Sequence, residues 1–350
     1  MIRYEVALPL LILALLGVGL VAVSSAATPA DFQKQILGIG ISLVPMGILW
    51  VTGRERLYRF SFLIYGLALL LLVATMVIGR EVNGSRNWLV IGPLQFQPLE
   101  IAKLALIITL ARVMKGGYQG LRSYFFPLLL FLPILGLVIK EDFGGAMVLS
   151  GIFAGMMLVY RIPIWHFLAV VVAVAIAFPT VVYPKLQPYQ QQRLTIFINP
   201  MKDARNYGYQ QVQGMIAIGS GGLMGKGYKQ GTQTQNGFVP FPHTDFIFAA
   251  WAEEQGFVGA IFLLVLFGAL FWRLAVMGGE SPHLQDQLLF AGVLGQMGAQ
   301  SLENMGATMS LLPLTGITLP LVSYGLSSLI SVLSTLAMAY VIHRDRYNSI

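Results

Sequence analysis

Ten apolar runs, most of them near twenty residues long, recur along the chain at about 6–23, 32–51, 60–78, 99–114, 124–139, 143–160, 164–183, 243–274, 285–312 and 318–342. A helix needs roughly 20 apolar residues to cross the hydrocarbon core of a bilayer. The runs therefore predict an all-α polytopic membrane protein of about ten transmembrane helices, a single membrane domain over 1–350 with both termini on one side. Only 11% of the 350 residues are charged and 56% are hydrophobic, more apolar than a water-facing surface tolerates.

Lysine and arginine set the orientation, because cytoplasmic loops of membrane proteins carry the excess. With the N-terminus inside, eleven basic residues fall at cytoplasmic ends: Arg3, Arg54, Arg56, Arg59, Arg112, Lys115, Arg122, Arg161, Arg273, Arg344 and Arg346. Short outer loops then receive five, Lys34, Arg80, Arg86, Lys103 and Lys140. Both termini are expected in the cytoplasm. The first run ends in "VSSAATPA", which could pass for a signal-peptide cleavage site, but the runs that follow make cleavage unnecessary and it reads as a retained helix. The chain has no cysteine, which is compatible with an oxidising exterior without requiring one. The paired halves of many transporters are not visible, and no nucleic-acid partner is expected.

One segment breaks the apolar pattern. Residues 184–242, expected as a long extracytoplasmic loop between helices 7 and 8, carry Lys185, Arg193, Lys202, Arg205, Lys226 and Lys229 against a single acid, Asp203, with ten glutamines among them. Loops this long are usually functional or disordered. "RLTIFINP" and "QVQGMIAIG" are too apolar for disorder, so a partly ordered loop resting on the bundle is expected. Its cations suit phosphate and its amides suit sugar hydroxyls, whereas a basic loop lying on anionic lipid headgroups is the plainer reading. "GSGGLMGKGY" is not a nucleotide-binding loop, since Ser220 and Gly227 stand where the phosphate-loop pattern needs Gly and Ser or Thr. Its glycines are expected to let the backbone approach a bulky ligand.

Acids within apolar runs are costly and need partners or water. "HTDFIFAAWAEEQGF" places Asp245 at the mouth of the eighth run, with Thr244 as an expected N-cap and Asp245 in the first helical turn. Capping is the ordinary explanation of an aspartate there. Glu253 and Glu254 fall about 80° and 180° around the helix from Asp245, so they cannot all share one face. Glu100 and Lys103, at i and i+3, are spaced to pair on one helical face. Glu303 and Asn304 precede a Pro- and Gly-broken junction of the sort that lines cavities at membrane depth.

The stretches "GSRNWLVIGPLQFQPLEIAKLAL", "RLTIFINPMKDARNYGYQQVQGMIAIGSGGLMGKGYKQGTQTQ", "HTDFIFAAWAEEQGFVG" and "NMGATMSLLPLTGITLPLVSYGLSS" resemble, in that order, the signature stretches of the shape, elongation, division and sporulation (SEDS) family. The likeness covers nearly the whole chain. It implies an integral peptidoglycan glycosyltransferase of the bacterial cytoplasmic (inner) membrane, polymerising lipid II on the outer side beside a class B penicillin-binding protein and among membrane lipids. The rod-shape branch is the closer likeness and the division branch the second. By resemblance Asp245 is the essential acid, and Trp88, Glu100 and Lys103 fall on functionally sensitive positions. The chain has Gly325-Leu326-Ser327-Ser328 where the family usually has Gly-Gly-Ser-Ser, and Val239-Pro240-Phe241 where it has Leu-Pro-Glu.

The implied reaction is an inverting transfer of the growing glycan from undecaprenyl pyrophosphate to a sugar 4-hydroxyl. A pyrophosphate leaves as an anion and needs charge stabilisation rather than a proton, so one base suffices, with Asp245 in that role. Arg193, Arg205, Lys226 and Lys229 are expected to hold the pyrophosphate, with His243, Thr244 and Trp88 also in contact with substrate. No cofactor is evident; a divalent cation such as Mg2+ is compatible with this chemistry, but no metal site can be read from spacing. A lipid II flippase and a non-catalytic scaffold are the competing classes. A flippase needs charge at the midplane and a scaffold needs none, whereas Asp245 lies at the outer surface.

Overall fold

The computed structural model describes residues 5–82, 85–91, 94–186, 188–206 and 208–346. Helix occupies each of the ten apolar runs: α1 (Ala7–Ala26), α2 (Pro29–Arg59), α3 (Ser61–Ile78), α4 (Pro98–Val113), α5 (Phe125–Val138), α6 (Phe143–Val159), α7 (Ile164–Ala177), α11 (Ile247–Gly279), α12 (Leu284–Thr308) and α13 (Leu326–Asp345). Seven of these, with their flanking turns, are long and apolar enough to cross a membrane alone. The other three rely on their neighbours. α4 and α6 have 16 and 17 residues, and α12 carries Gln296, Gln300, Glu303 and Asn304 at buried positions, where neighbouring helices rather than lipid surround them.

Small residues allow that inner packing, since helices in a bilayer associate through close backbone approach. Gly151 and Gly155 on α6 face Ala291, Gly295 and Ala299 on α12; a Cβ on Gly155 would stand 2.9 Å from the Ala291 carbonyl oxygen, and one on Gly151 2.7 Å from the Ala299 Cβ. α13 packs along α2, where Trp50 stacks on Tyr340 with ring centroids 5.7 Å apart. α7 is the opposite case, with none of its 14 residues buried.

Between α3 and α4 the chain forms a small antiparallel meander, β1 (Arg80–Val82), β2 (Ser85–Ile91) and β3 (Leu94–Phe96), with Arg80 opposite Trp88 and Leu89 opposite Phe96. The helical reading of the sequence did not include it. A chain leaving a span still has to satisfy its backbone polar groups, and here it does so by local pairing. The expectation of a partly ordered loop at 184–242 fits α8 (Pro188–Ile198), α9 (Tyr209–Ser220) and α10 (Thr232–Gln235). α9 rests on the start of α11, where Gly214 leaves room for the Phe246 ring, 2.7 Å from where its Cβ would be.

Candidate active site

α11 begins at Ile247, so Asp245 lies before the helix and not in its first turn. Thr244 is not the N-cap; that position belongs to Phe246, which makes no side-chain cap bond. The Thr244 and Phe246 amides both donate to the Phe241 carbonyl, as does the Thr244 hydroxyl at 3.3 Å. This turn holds the chain out of helix for two residues longer than a Thr cap would, and it corrects the capping explanation of Asp245.

The turn is fixed from outside by the broken segment between α12 and α13. Ser323 Oγ donates to the Thr244 carbonyl at 2.7 Å while accepting from the Leu319 amide at 2.9 Å. The Tyr324 amide donates to the His243 carbonyl at 2.8 Å. Asn304, buried near the end of α12, uses its amide nitrogen to bridge the Asp245 carbonyl at 3.0 Å and the Ile317 carbonyl at 2.9 Å. α2 closes the set through Gln35, which donates to the Ser323 carbonyl and accepts from the Gly325 amide. Three carbonyls in a row are thus tied down, and side-chain direction follows from the fixed backbone. The Asp245 carboxylate is half-buried beside Gly316, whose Cβ, if present, would stand 3.6 Å from Oδ2. The His243 ring tilts against Tyr324 with centroids 5.5 Å apart. Burial holds its imidazole below the ordinary histidine value, with Asp31 opposing, so it is neutral at pH 7.

The glycine-rich stretch has a different job from the expected one. α11 is broken at Gly256, which has φ +67° and ψ −165°, a conformation reserved for glycine. The 222–227 backbone fills the break: Lys226 and Gly227 amides donate to the Glu253 and Glu254 carbonyls at 3.0 and 2.9 Å, and Phe257 and Val258 amides donate to the Gly222 and Leu223 carbonyls at 2.8 and 3.1 Å. Any side chain on Gly225, itself at φ +78°, would overlap the Glu254 carbonyl. The close approach served by these glycines is to α11 and not to a ligand.

The two glutamates complete that joint. Glu253, fully buried, accepts from Lys226 Nζ at 2.8 Å, from the Gln233 and Thr234 amides at 2.7 and 2.9 Å, and from the Thr234 hydroxyl at 2.8 Å. Glu254 accepts from Ser25 Oγ, the Lys229 amide and Gln235 Nε2. Lys226, expected on a phosphate, instead has its three N–H bonds directed at Ser220, Thr232 and Glu253. Arg205 and Lys229 are exposed, with Lys229 Nζ 5.5 Å from the centre of the Tyr228 ring. Arg193 lies in α8, and its side chain is outside the described residues. Trp88 is half-buried in β2.

Glu100 and Lys103 stand 2.8 Å apart, both buried, at the start of α4. Two further acids share this region, Asp142 half-buried and Glu303 buried. Asp142 caps α6 through the Gly145 amide at 2.6 Å and takes Gln97 Nε2 at 3.1 Å, and Glu303 accepts from Thr315 Oγ1 at 3.1 Å. Asp142 and Ser323 were missed in the sequence, and Asn304 was noted only as a polar group. Among the described residues no three His, Asp or Glu side chains converge closely enough to hold a metal ion.

The profile of the FtsW/RodA/SpoVE group, described as a cell cycle protein, matches residues 6–348. The chain belongs to this family. Among its SEDS relatives, a probable peptidoglycan glycosyltransferase FtsW of Thioalkalivibrio sp. (strain K90mix) is 35% identical, with 98% of this chain and 91% of that protein covered. Stage V sporulation protein E of Bacillus subtilis (strain 168) is 32% identical over 98% and 97%. Solved SEDS structures agree in fold. A chain of a peptidoglycan synthase complex, in a structure on the coordination of polymerization and crosslinking, superposes with a TM-score of 0.88 at 39% identity over 99% of both chains. Thermus thermophilus rod shape determining protein RodA gives 0.76 at 36%, over 99% and 98%. The chain is a multi-pass membrane protein of the SEDS type.

Proposed function

We propose that this protein is a peptidoglycan glycosyltransferase that polymerises lipid II, with Asp245 as the general base. The observation that carries the reading is the Asp245 turn itself: a half-exposed carboxylate on a non-helical backbone held by Asn304, Ser323 and the Tyr324 amide. Catalytic groups gain most from such fixed placement, because rate falls steeply with misplacement. Asp245 takes the proton of the acceptor 4-hydroxyl as the new glycosidic bond forms, and the bond to undecaprenyl pyrophosphate breaks on the opposite face with inversion. The electron pair leaves with the pyrophosphate, so no acid is needed there. Of the four cations expected to hold the pyrophosphate, exposed Lys229 and Arg205 are left to meet that charge, together with Arg193; Lys226 supports the joint from behind. Trp88, His243 and Thr244 contact the sugar. Mg2+ carried by the pyrophosphate is compatible with this chemistry. α7, with no buried residue, leaves a lateral side of the bundle for polyprenyl tails.

The setting we propose is the bacterial inner membrane, with cytoplasmic termini, an outward-facing Asp245 and a class B penicillin-binding protein as partner, in keeping with the synthase complex that this fold resembles. Elongation is the reading favoured by the likeness to RodA; relatives named FtsW favour division equally, and rescue of rod shape or of septation in depleted cells separates the two. The defining experiment is purified protein with lipid II in detergent, where there are no two compartments to flip between. Glycan chains are expected; no polymer, with or without the transpeptidase, would overturn the assignment.

A further inference from the structure

At the end of the bundle opposite Asp245, about 30 Å away along α12, a cleft of about 380 Å3 opens between three helix ends. It is lined by Gly117 and Tyr118 after α4, Tyr160 and Arg161 after α6, and Pro282, Leu284 and Gln287 around the start of α12. Nothing in the proposed glycosyl transfer uses it. Its floor is aromatic, with Tyr118 packed edge-on against Tyr160 and His166, and Tyr124 bonded to His166.

Arg161 is the informative residue. It directly follows the C-cap of α6 with φ +61°, the left-handed position that ends many helices and that glycine fills without strain. A large basic side chain sits there instead, exposed and with no ion-pair or hydrogen-bond partner for its guanidinium among the described residues. Lys115 and Arg122, on the same connection as Tyr118, are likewise exposed. The two acids flanking the turn between α11 and α12 are already engaged: Asp286 by Arg54 and Tyr58, and Glu280 by Arg346. The cleft thus has unmatched positive charge at its rim and aromatic walls below. Leu121, Phe125, Phe126 and Trp165 lie exposed on the adjoining segments, as expected of side chains facing lipid at a membrane boundary.

We propose that this cleft is a binding site for the phosphodiester headgroup of an anionic phospholipid, held by Arg161 with Lys115 and Arg122 at the rim. Basic pockets between the ends of membrane helices bind such headgroups, and the open side with its apolar flank accommodates acyl chains that a soluble phosphate lacks. The site stands apart from Asp245 and does not rest on the glycosyltransferase reading.

The test is binding of fluorescent phosphatidylglycerol to the purified full chain in detergent, with phosphatidylcholine and glycerol 3-phosphate as competitors, alongside melting curves. Wild type should bind phosphatidylglycerol and melt higher with it. Arg161→Gly should remove the strained backbone and melt no lower without lipid, yet bind phosphatidylglycerol about tenfold more weakly or worse, the loss expected of a charge-assisted contact. Arg161→Gln should lose binding similarly, and Arg161→Lys should retain part. Unchanged affinity in Arg161→Gly and Arg161→Gln, or equal competition by phosphatidylcholine, would overturn the site. Equal competition by glycerol 3-phosphate would overturn the lipid assignment in favour of a soluble anion.

Discussion

Two polar stretches meet on α11, and they use their charges in opposite ways. The joint of 222–235 with Glu253 and Glu254 of α11 commits its ionisable groups to structure: Lys226 is consumed by Glu253, and Glu254 is closed in by Ser25, Gln235 and the Lys229 amide. The turn at 243–245 is held from outside through its carbonyls, by Asn304, Ser323 and the Tyr324 amide. Fixing a backbone through its carbonyls sets the direction of its side chains without using them as the anchor. Fixing it through carboxylates spends them on structure. On the proposed function the difference separates a site from a scaffold where residue type alone does not, since both stretches are polar, carry charged groups and lie next to the same helix.

The comparison breaks most visibly at Asp245. Asp245→Asn keeps size and polarity but cannot accept the hydroxyl proton, and polymerisation should fall by about 10²–10⁴-fold. Asp245→Glu should recover only part, because an extra methylene misplaces the carboxylate by about 1 Å, enough for on the order of 10²-fold. A quenched-flow or gel assay of glycan length reads both.

Glu100 belongs to neither stretch and sharpens the contrast from within the bundle. Removing it leaves Lys103 buried and unpaired, a loss of about 3–5 kcal/mol. Glu100→Ala should therefore reduce both yield and melting temperature, and charge reversal of the pair should restore part of the loss. A melting temperature equal to wild type would contradict the pairing.

Lys226→Met should cost about 3 kcal/mol, near the low end because Glu253 keeps two amides and a hydroxyl. Its effect should appear in stability and not in the Michaelis constant of the folded fraction. Lys229→Gln should do the reverse on the smallest scale: stability within about 0.5 kcal/mol, but a Michaelis constant raised about tenfold if the ammonium meets the pyrophosphate. No change in either quantity would remove Lys229 from substrate binding.

What could be read in the sequence was what depends on length and on near neighbours. The ten helices follow from ten apolar runs, and the Glu100 and Lys103 contact follows from i,i+3 spacing. The meander at 80–96 was missed because its short alternating strands sit between two stronger helical patterns. The Asp245 turn was misread because Thr-Asp before an apolar run is also the signature of a helix cap; contacts from Asn304, Ser323 and the Tyr324 amide, 59 to 81 residues away, decide otherwise. Lys226 and Glu253 are 27 residues apart and Asn304 reaches 59 residues back to Asp245, distances over which no local pattern carries information. The same limit hid the reason for the glycines, which lies in a helix break at Gly256 and not in the loop that contains them.

The most direct test measures lipid II polymerisation and melting temperature side by side on purified Asp245→Asn and Lys226→Met. The account predicts a double dissociation. Asp245→Asn should melt close to wild type and lose at least about 10²-fold in rate, whereas Lys226→Met should melt several degrees lower and keep, per folded molecule, a rate within a few-fold of wild type. A stable Asp245→Asn protein that still makes long glycan chains at near wild-type rate would contradict it.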